Sequence, residues 1–515
     1  MASYHNLKIF KYEHPTSDIE IEYLNRLNSP TSIVTNLKIN PMNKGIKQSS
    51  VYPLFMLPIQ EILRLQDQIQ QNSTEITRLM NNLPGIASQQ MFINTLSNEI
   101  RSTNEIEGVK TTNKEVSQAI VAAQSKTEEK SRLKSFAKMY LKIDKRENLQ
   151  IHTLNDIRKV YDYLLEGEIA PDKMPDGKLF RNQFVRIGNE MNTVHLPKEH
   201  EADFTADLLD WISFINDDTV PFLIKAFIAH YYLEYIHPFN DGNGRVGRYI
   251  ACVYIGYKLD PMTAITFSSE INRNRSKYYT AFQDVGDEKN MGEVTFFVLE
   301  MMKLLAEGQA NLIQKFRENS RQLNAIEVKI NEFSKDPKVQ ELISIYAQAY
   351  LFNDVSEGLE DRELKSAAKN IPNTQIRDII DSLTNTNVLA LTKHSPLTRK
   401  LTQDFIKQMD LDWKRWNHVQ QQRKNQSADV PCAAGCRTPI IYRNLDRNLH
   451  ERHLSRINQS LQRHPRHGSV DYHRLPANGD DCHGDDGLSL KKIQIADYPP
   501  GGRIGLRHWR REDFG

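Results

Sequence analysis

The stretch His237-Pro-Phe-Asn-Asp-Gly-Asn-Gly-Arg-Val-Gly-Arg248 brings an unusual amount of reactive chemistry into a few residues. His237 is the only group in it whose ordinary pKa lies near neutrality, which makes it a candidate general base. Pro238 has no amide N–H, so it ends an incoming helix or turns the chain sharply. Gly242, Asn243 and Gly244 are conformationally permissive, and successive N–H groups there can converge on one anion. Arg245 then opens a helix whose N-terminus adds its own partial positive charge; Arg248, three residues on, shares its face. Asp241 is the only carboxylate in the stretch, and a lone carboxylate beside a phosphate cradle suits Mg²⁺, which keeps most of its water. A histidine before proline is usually structural, and an isolated Asp-Gly-Asn-Gly is usually a turn. Base, metal ligand, anion nest and two arginines in one stretch are what phosphate-transfer chemistry requires.

Two apolar helices must hold this turn. Residues 220–236 are apolar but interrupted by Lys225, His230 and Glu234, so they read as a buried helix rather than a membrane span. Residues 245–258 read as the helix leaving the turn. Upstream, Ile59, Ile62, Leu63, Leu65, Ile69, Ile76 and Leu79 recur at near-helical spacing over 59–83, before Pro84 and Gly85. A helix over 89–106 carries Met91, Ile93, Leu96 and Ile100 on one face and ends at Gly108, a C-cap. Helices are also expected at 113–123, 154–165, 204–215, 275–284 and 292–317. Residues 177–188 change to an alternating pattern, which predicts a short hairpin. After a polar stretch at 319–338 come helices at 339–350, 361–368 and 374–383, then the β-prone 388–392, together resembling a winged-helix module. The first 50 residues are polar, with Pro15, Pro30 and Pro41 as breakers, and are expected to be irregular.

Bulk properties narrow the class. A chain of 515 residues suggests about three domains. The 67 Lys and Arg against 65 Asp and Glu leave a net charge of +2, which calls for neither nucleic acid nor an anionic membrane as partner. The opening MASYHNLKIFKYEH has no apolar run behind a basic end, and the four cysteines make no disulfide framework; a cytoplasmic location is expected. From residue 426 the composition shifts to a dozen arginines against only Lys491 and Lys492, with many histidines and little apolar periodicity. Such a tail is expected to be disordered. Its composition is equally that of a segment read in another frame, and no function is assigned to it. Cys432, Cys436 and Cys482 within it lack the paired spacing of a zinc site, and Cys252 reads as a small core residue.

The stretch HPFNDGNGRVGR resembles the signature of the Fic family, H-P-F-x-[DE]-G-N-G-R-x-x-R, at every defined position. Gly177 to Arg181 with Val185 to Gly188 resembles the family's flap, and SSEINRNRSKYYTAF at 268–282 the segment after its catalytic helices; the likeness extends over 51–315. The resemblance implies a protein adenylyltransferase that moves AMP from Mg·ATP to a Ser, Thr or Tyr hydroxyl of a target protein. His237 would be the base, Asp241 the Mg²⁺ ligand, Gly242, Asn243 and Gly244 the anion cradle, Arg245 and Arg248 the polyphosphate grip, with Asn240 also on the nucleotide. Phe239 would be a core anchor. Val185, Ile187 and His195 would dock the target on the flap, and Tyr278 and Tyr279 would line the adenine pocket or serve as core aromatics. Thr103-Asn-Glu-Ile-Glu107-Gly108 matches the family's inhibitory pattern [ST]-x-x-x-E-[GN], which implies that Glu107 engages Arg248 and restrains the enzyme.

The expected architecture is mainly α. An irregular segment at 1–50 precedes a helical region with the inhibitory helix at 51–130, then a helical Fic core with a small β-hairpin flap at 131–320, a winged-helix-like module at 321–425 and a disordered tail at 426–515. Alternatives on the same fold are AMP removal, with Glu107 positioning water, or transfer of another phosphate-containing group; the intact Gly244 favours a bound triphosphate. A DNA-binding regulator is the reading from another class. It is disfavoured because residues 374–383 carry Arg377 against Asp378 and Asp381. The target protein, the trigger that relieves inhibition and homodimer formation stay open.

Overall fold

The computed structural model describes residues 4–124, 132–188, 193–353 and 358–409. The segment expected to be irregular forms α1 (Leu7–Glu13), α2 (Ile19–Leu27), β1 (Ile33–Ile39), β2 (Met42–Asn43) and β3 (Ile46–Lys47), followed by β4 (Tyr52–Met56). That expectation is corrected. Asn6 and Asp18 cap the two helices by accepting from the amides of Ile9 and Glu20. Pro15, Pro30 and Pro41 fall between elements, and Pro53 sits in a sheet of only two strands, β1 and β4, where a missing N–H is tolerated.

Four helices follow: α3 (Gln60–Asn81), α4 (Gly85–Ile106), α5 (Asn113–Gln124) and α6 (Lys134–Asp144). Helix α4 starts earlier than its apolar pattern suggests, because Pro84 is its N-cap and Gly85 its first residue. Next come α7 (Leu154–Leu164), closed by a Thr153–Asp156 capping box, and the short strands β5 (Ile187–Gly188) and β6 (Thr193–His195). The hairpin expected over 177–188 is confined to those two strands. Residues 177–181 are instead held as a loop, Gly177 donating its amide to the Phe180 carbonyl at 2.8 Å and Arg181 to that of Pro238 at 2.9 Å.

The centre is built from α8 (Glu201–Ile215), α9 (Phe222–Ile236), α10 (Asn243–Lys258), α11 (Pro261–Ala264), α12 (Phe267–Arg273), α13 (Arg275–Gly286) and α14 (Thr295–Phe333). Every residue of α9 from Leu223 to Leu233 is buried, as a helix apolar on all sides requires. It packs against α8 and α10, while α3 lies along α14 and α4 against α12. Helix α14 continues through the polar stretch, so the boundary expected at 320/321 falls inside a helix. Leu323, Ile326 and Ile330, at three- and four-residue intervals, keep one face of it buried.

The chain then forms α15 (Pro337–Phe352), β7 (Leu359–Glu360), α16 (Asp361–Ala367), α17 (Asn373–Asn385), β8 (Leu389–His394), β9 (Leu397–Leu401) and α18 (Gln403–Gln408), with the strands ordered β7-β9-β8. One apolar core joins Leu37 to Met409 across the units expected at 51–130, 131–320 and 321–425. The architecture is mainly α, as expected. No helix among the described residues is long and apolar enough to cross a membrane. The tail from 426, with Cys432, Cys436 and Cys482, lies outside the described residues.

Candidate active site

The turn between α9 and α10 is set by two left-handed residues. His237 (φ 53°) caps α9, its amide donating to the Leu233 carbonyl at 3.0 Å, and Gly242 (φ 86°) caps α10. Asn243 closes the loop between them: its Oδ1 accepts from the Phe239 amide at 2.9 Å and its Nδ2 donates to the Phe239 carbonyl at 2.7 Å. Its side chain is therefore committed to the turn, which leaves its backbone N–H as the group it could offer an anion. Phe239 is fully buried and stacks on Tyr161 at 3.9 Å, the core anchor that was expected.

Arg181 holds this turn to the flap, and sequence reasoning gave it no role. It is wholly buried. Its Nε donates to the His237 carbonyl at 2.6 Å, its Nη1 to the carbonyls of Gln183 (2.9 Å) and Glu199 (2.8 Å), and its Nη2 to that of Lys198 (2.6 Å). Burial brings the guanidinium down to about 10, so it stays charged at neutral pH. Arg181→Ala would leave several buried carbonyls without a donor and is expected to destabilise the protein by about 3 kcal/mol or more. Lysine, lacking the planar fork, should recover little. Thermal unfolding of both variants checks this; a wild-type midpoint for Arg181→Lys would contradict it.

Two buried arginines face the N-terminus of α10 in different states. Arg245 Nη2 lies 3.5 Å from Asp241 Oδ1, while its Nε and Nη1 are buried without a hydrogen-bond partner. Buried unpaired donors on a cation, beside a helix N-terminus, are what an anionic ligand would satisfy. Arg248 is engaged through two of its nitrogens: Nε donates to Thr103 Oγ1 at 2.9 Å, and Nη2 to the Thr103 carbonyl at 3.1 Å and to Glu107 Oε1 at 2.7 Å. Burial opposes its charge, but the Glu107 carboxylate, with Tyr278 and Glu234, holds its pKa above the ordinary value. Glu107 is the C-cap of α4, and Gly108 (φ 72°) turns the chain away from it. A Cβ at Gly244 would fall on the Glu107 carboxylate and the Arg248 guanidinium, so glycine is what lets Glu107 reach this helix end.

Burial, followed by the charge of Arg181, lowers His237 from 6.5 to about 4; the imidazole is neutral at pH 7 and able to take a proton. Three residues earlier, Glu234 is pushed up to about 8 by burial and then by Glu107, with Arg248 opposing, and is protonated at neutral pH. In the sequence it stood out only as an interruption of an apolar run. A carboxylate one helical turn before His237 was nevertheless the available signal.

The remaining expected residues divide. Asp241 is half-exposed at the turn, with Arg245 Nη2 3.5 Å from its Oδ1 and part of its carboxylate facing solvent. Among the described residues no group of three or more His, Cys, Asp or Glu could hold a metal by itself. One carboxylate suits Mg²⁺ that arrives already bound to phosphates. Asn240, expected on the nucleotide, donates from Nδ2 to the Met174 carbonyl and Asp176 Oδ1, both at 2.9 Å, which ties the 171–176 loop to the turn. On the flap, His195 Nε2 is 2.7 Å from the Tyr235 carbonyl, and burial lowers its pKa to about 3; it pins β6 to α9. Val185 and Ile187 are half-buried beside it, and residues 189–192 lie outside the described residues. Tyr278 is a core aromatic, its Oη 2.8 Å from His230 Nε2, while Tyr279 is partly exposed.

Residues 151–255 match the Fic/DOC family. The chain carries a Fic/DOC domain. The match begins just before α7 and ends within α10, so the flap, the turn and both arginines fall inside it, while α4 with Glu107 lies outside. Among curated proteins, the protein adenylyltransferases fic-1 of Caenorhabditis elegans and Caenorhabditis briggsae are each 28% identical over 105 residues, which is 20% of this chain. The chain spans about a fifth (19%) of the length of these relatives. Among solved structures, a Fic family protein from Desulfovibrio desulfuricans G20 is similar at a TM-score of 0.38 and 18% identity, over 65% of this chain and 96% of that one. A Fic domain containing signaling protein from Bacteroides thetaiotaomicron VPI-5482 is similar at 0.36 and 16% identity, over 49% and 98%.

Proposed function

We propose that this Fic-domain chain transfers AMP from Mg·ATP to a hydroxyl of a target protein, releasing pyrophosphate, and that Glu107 restrains it. The observation that supports this most is the pairing of a neutral His237 with Arg245, whose buried Nε and Nη1 lack partners at the N-terminus of α10. The hydroxyl oxygen would attack the α-phosphorus, the bond from that phosphorus to the oxygen bridging the β-phosphate would break, and the hydroxyl proton would pass to the His237 imidazole. Arg245 and the backbone N–H groups of 242–244 would carry the charge that builds on the phosphates, mainly through positioning and electrostatics. Mg²⁺ held by Asp241 would neutralise the departing pyrophosphate. The flap residues Val185 and Ile187 would align an extended target segment, and the 321–425 unit would serve as a winged-helix-like docking or dimerisation module.

Intact-mass analysis tests the donor. A cell extract is incubated with Mg·ATP and either the wild type or Glu107→Gly. An added AMP on target or enzyme, more abundant with the variant, is the expected result. An added phosphate or UMP, or no adduct from either protein, would reject AMP transfer.

A further inference from the structure

A cavity of about 330 Å³ opens between residues 148–151, the C-terminal half of α8 and one flank of the α9–α10 pair. That volume is at the lower end of the usual range for small-ligand sites. His237, Asp241, Gly244, Arg245 and Arg248 are not among its lining residues, so it is separate from the phosphate-binding turn. Small residues border the space, Ala226 and Ala229 on α9 and Ala251 on α10, whereas the volume beside Gly247 is taken up by the Glu234 carboxylate and His230. One part of its wall is apolar, from Ile151, Trp211, Leu233 and Ile250, and the rest is polar, with Asn148, Gln150, Asn216 and His230 among it. The Trp211 ring is fixed by its Nε1, which donates to the Ala229 carbonyl at 2.8 Å.

Two of its polar lining residues, Tyr254 and Lys225, are buried donors with capacity to spare. The Tyr254 hydroxyl is buried and has no hydrogen-bond partner. Lys225 is buried, and its three N–H donors meet two acceptors, the Asp217 carbonyl at 2.7 Å and Asp218 Oδ1 at 3.5 Å. Its Nζ lies 5.6 Å from the centre of the Tyr254 ring, so hydroxyl and ammonium occupy neighbouring parts of the lining. The charged lining residues are Lys225 and Lys258 against Asp218, an excess of one positive charge. A buried hydroxyl without an acceptor has an unmet demand for one, and the cation excess favours a negative one.

We infer that this cavity is a second ligand site, for a small amphipathic carboxylate whose aromatic body lies against Trp211, Leu233 and Ile250 and whose carboxylate accepts from Tyr254 and Lys225. The site contains none of the residues assigned to the transfer reaction, and its test does not depend on that assignment. Benzoate, phenylacetate and 3-phenylpropionate, with 3-phenylpropanamide as the uncharged counterpart, are titrated against the full chain by ligand-observed NMR. The proteins are the wild type, Tyr254→Phe and Ala226→Met, and ATP binding is measured on each to confirm folding. At least one acid is expected to bind the wild type saturably with a millimolar or lower dissociation constant. Its affinity should fall about tenfold in Tyr254→Phe, and the amide should bind the wild type about tenfold more weakly than the acid. Binding should vanish when methionine fills the space in Ala226→Met. Absence of saturable binding by all three acids, undiminished affinity in Tyr254→Phe, or equal binding by the wild type and Ala226→Met would overturn the site.

Discussion

His237→Ala should reduce AMP transfer by about 10²–10⁴-fold while ATP affinity changes little. The separation follows from the geometry. Phosphate binding is assigned to Arg245 and the N-terminus of α10, neither of which depends on the imidazole, whereas the proton of the attacking hydroxyl has no other neutral acceptor at the turn. The turn itself should survive the substitution, because Asn243 and Arg181 hold it through backbone groups that alanine retains. Labelling with ATP radioactive at the α-phosphate, alongside a nucleotide-binding isotherm, measures both quantities. Undiminished labelling would remove His237 from the chemistry. The pH dependence gives a second check. Because the imidazole pKa is lowered from 6.5 to about 4, the neutral base persists as pH falls through the range in which an ordinary histidine would be protonated. kcat/KM, which reports the free enzyme, should show no limb near the ordinary histidine value and stay flat from pH ~7 to ~5.5, below the range in which Glu234 ionises. The limb in kcat should lie at higher pH, since the negative phosphates of bound ATP stabilise the imidazolium.

What could be read from the sequence was local. His237, Gly242, Asn243 and the two arginines act within one turn and one helix start, so their spacing alone implies their juxtaposition. Glu107 is distant in sequence, but its place after Thr103 at a helix end carried enough pattern to pair it with Arg248, and the two are in contact. Arg181 left no such trace. Its partners are backbone carbonyls at 183, 198, 199 and 237, and a carbonyl has no residue type to recognise. The N-terminal helices were missed for a different reason. Ile9, Tyr12, Ile21 and Leu24 are exposed, so the buried faces of α1 and α2 are too small to produce an apolar period. The polar run after 319 misled in the opposite direction, since three buried residues suffice to keep one face of α14 on the core.

Glu107→Gly should raise auto-modification by about 10–100-fold, the range expected for losing one charge-assisted hydrogen bond to a buried cation. At 2.7 Å from Arg248 Nη2, Glu107 occupies a donor that a γ-phosphate could use, and under the proposed function ATP would have to displace the carboxylate or bind out of line. Removing it leaves Arg248 in place, because Thr103 still accepts from Nε and Nη2 through its hydroxyl and carbonyl. The variant therefore presents a positioned cation whose strongest partner is gone. Two consequences separate this from a general loosening of α4. Without nucleotide, the unpaired buried charge should lower the unfolding temperature, and ATP should restore more stability to the variant than to the wild type, since phosphate replaces the lost carboxylate. The gain in activity should also disappear in the double variant Glu107→Gly/Arg248→Ala, because it depends on the guanidinium that Glu107 releases. A gain that persists without Arg248 would mean that this ion pair is not the restraint, and that Glu107 acts on the Fic domain by another route.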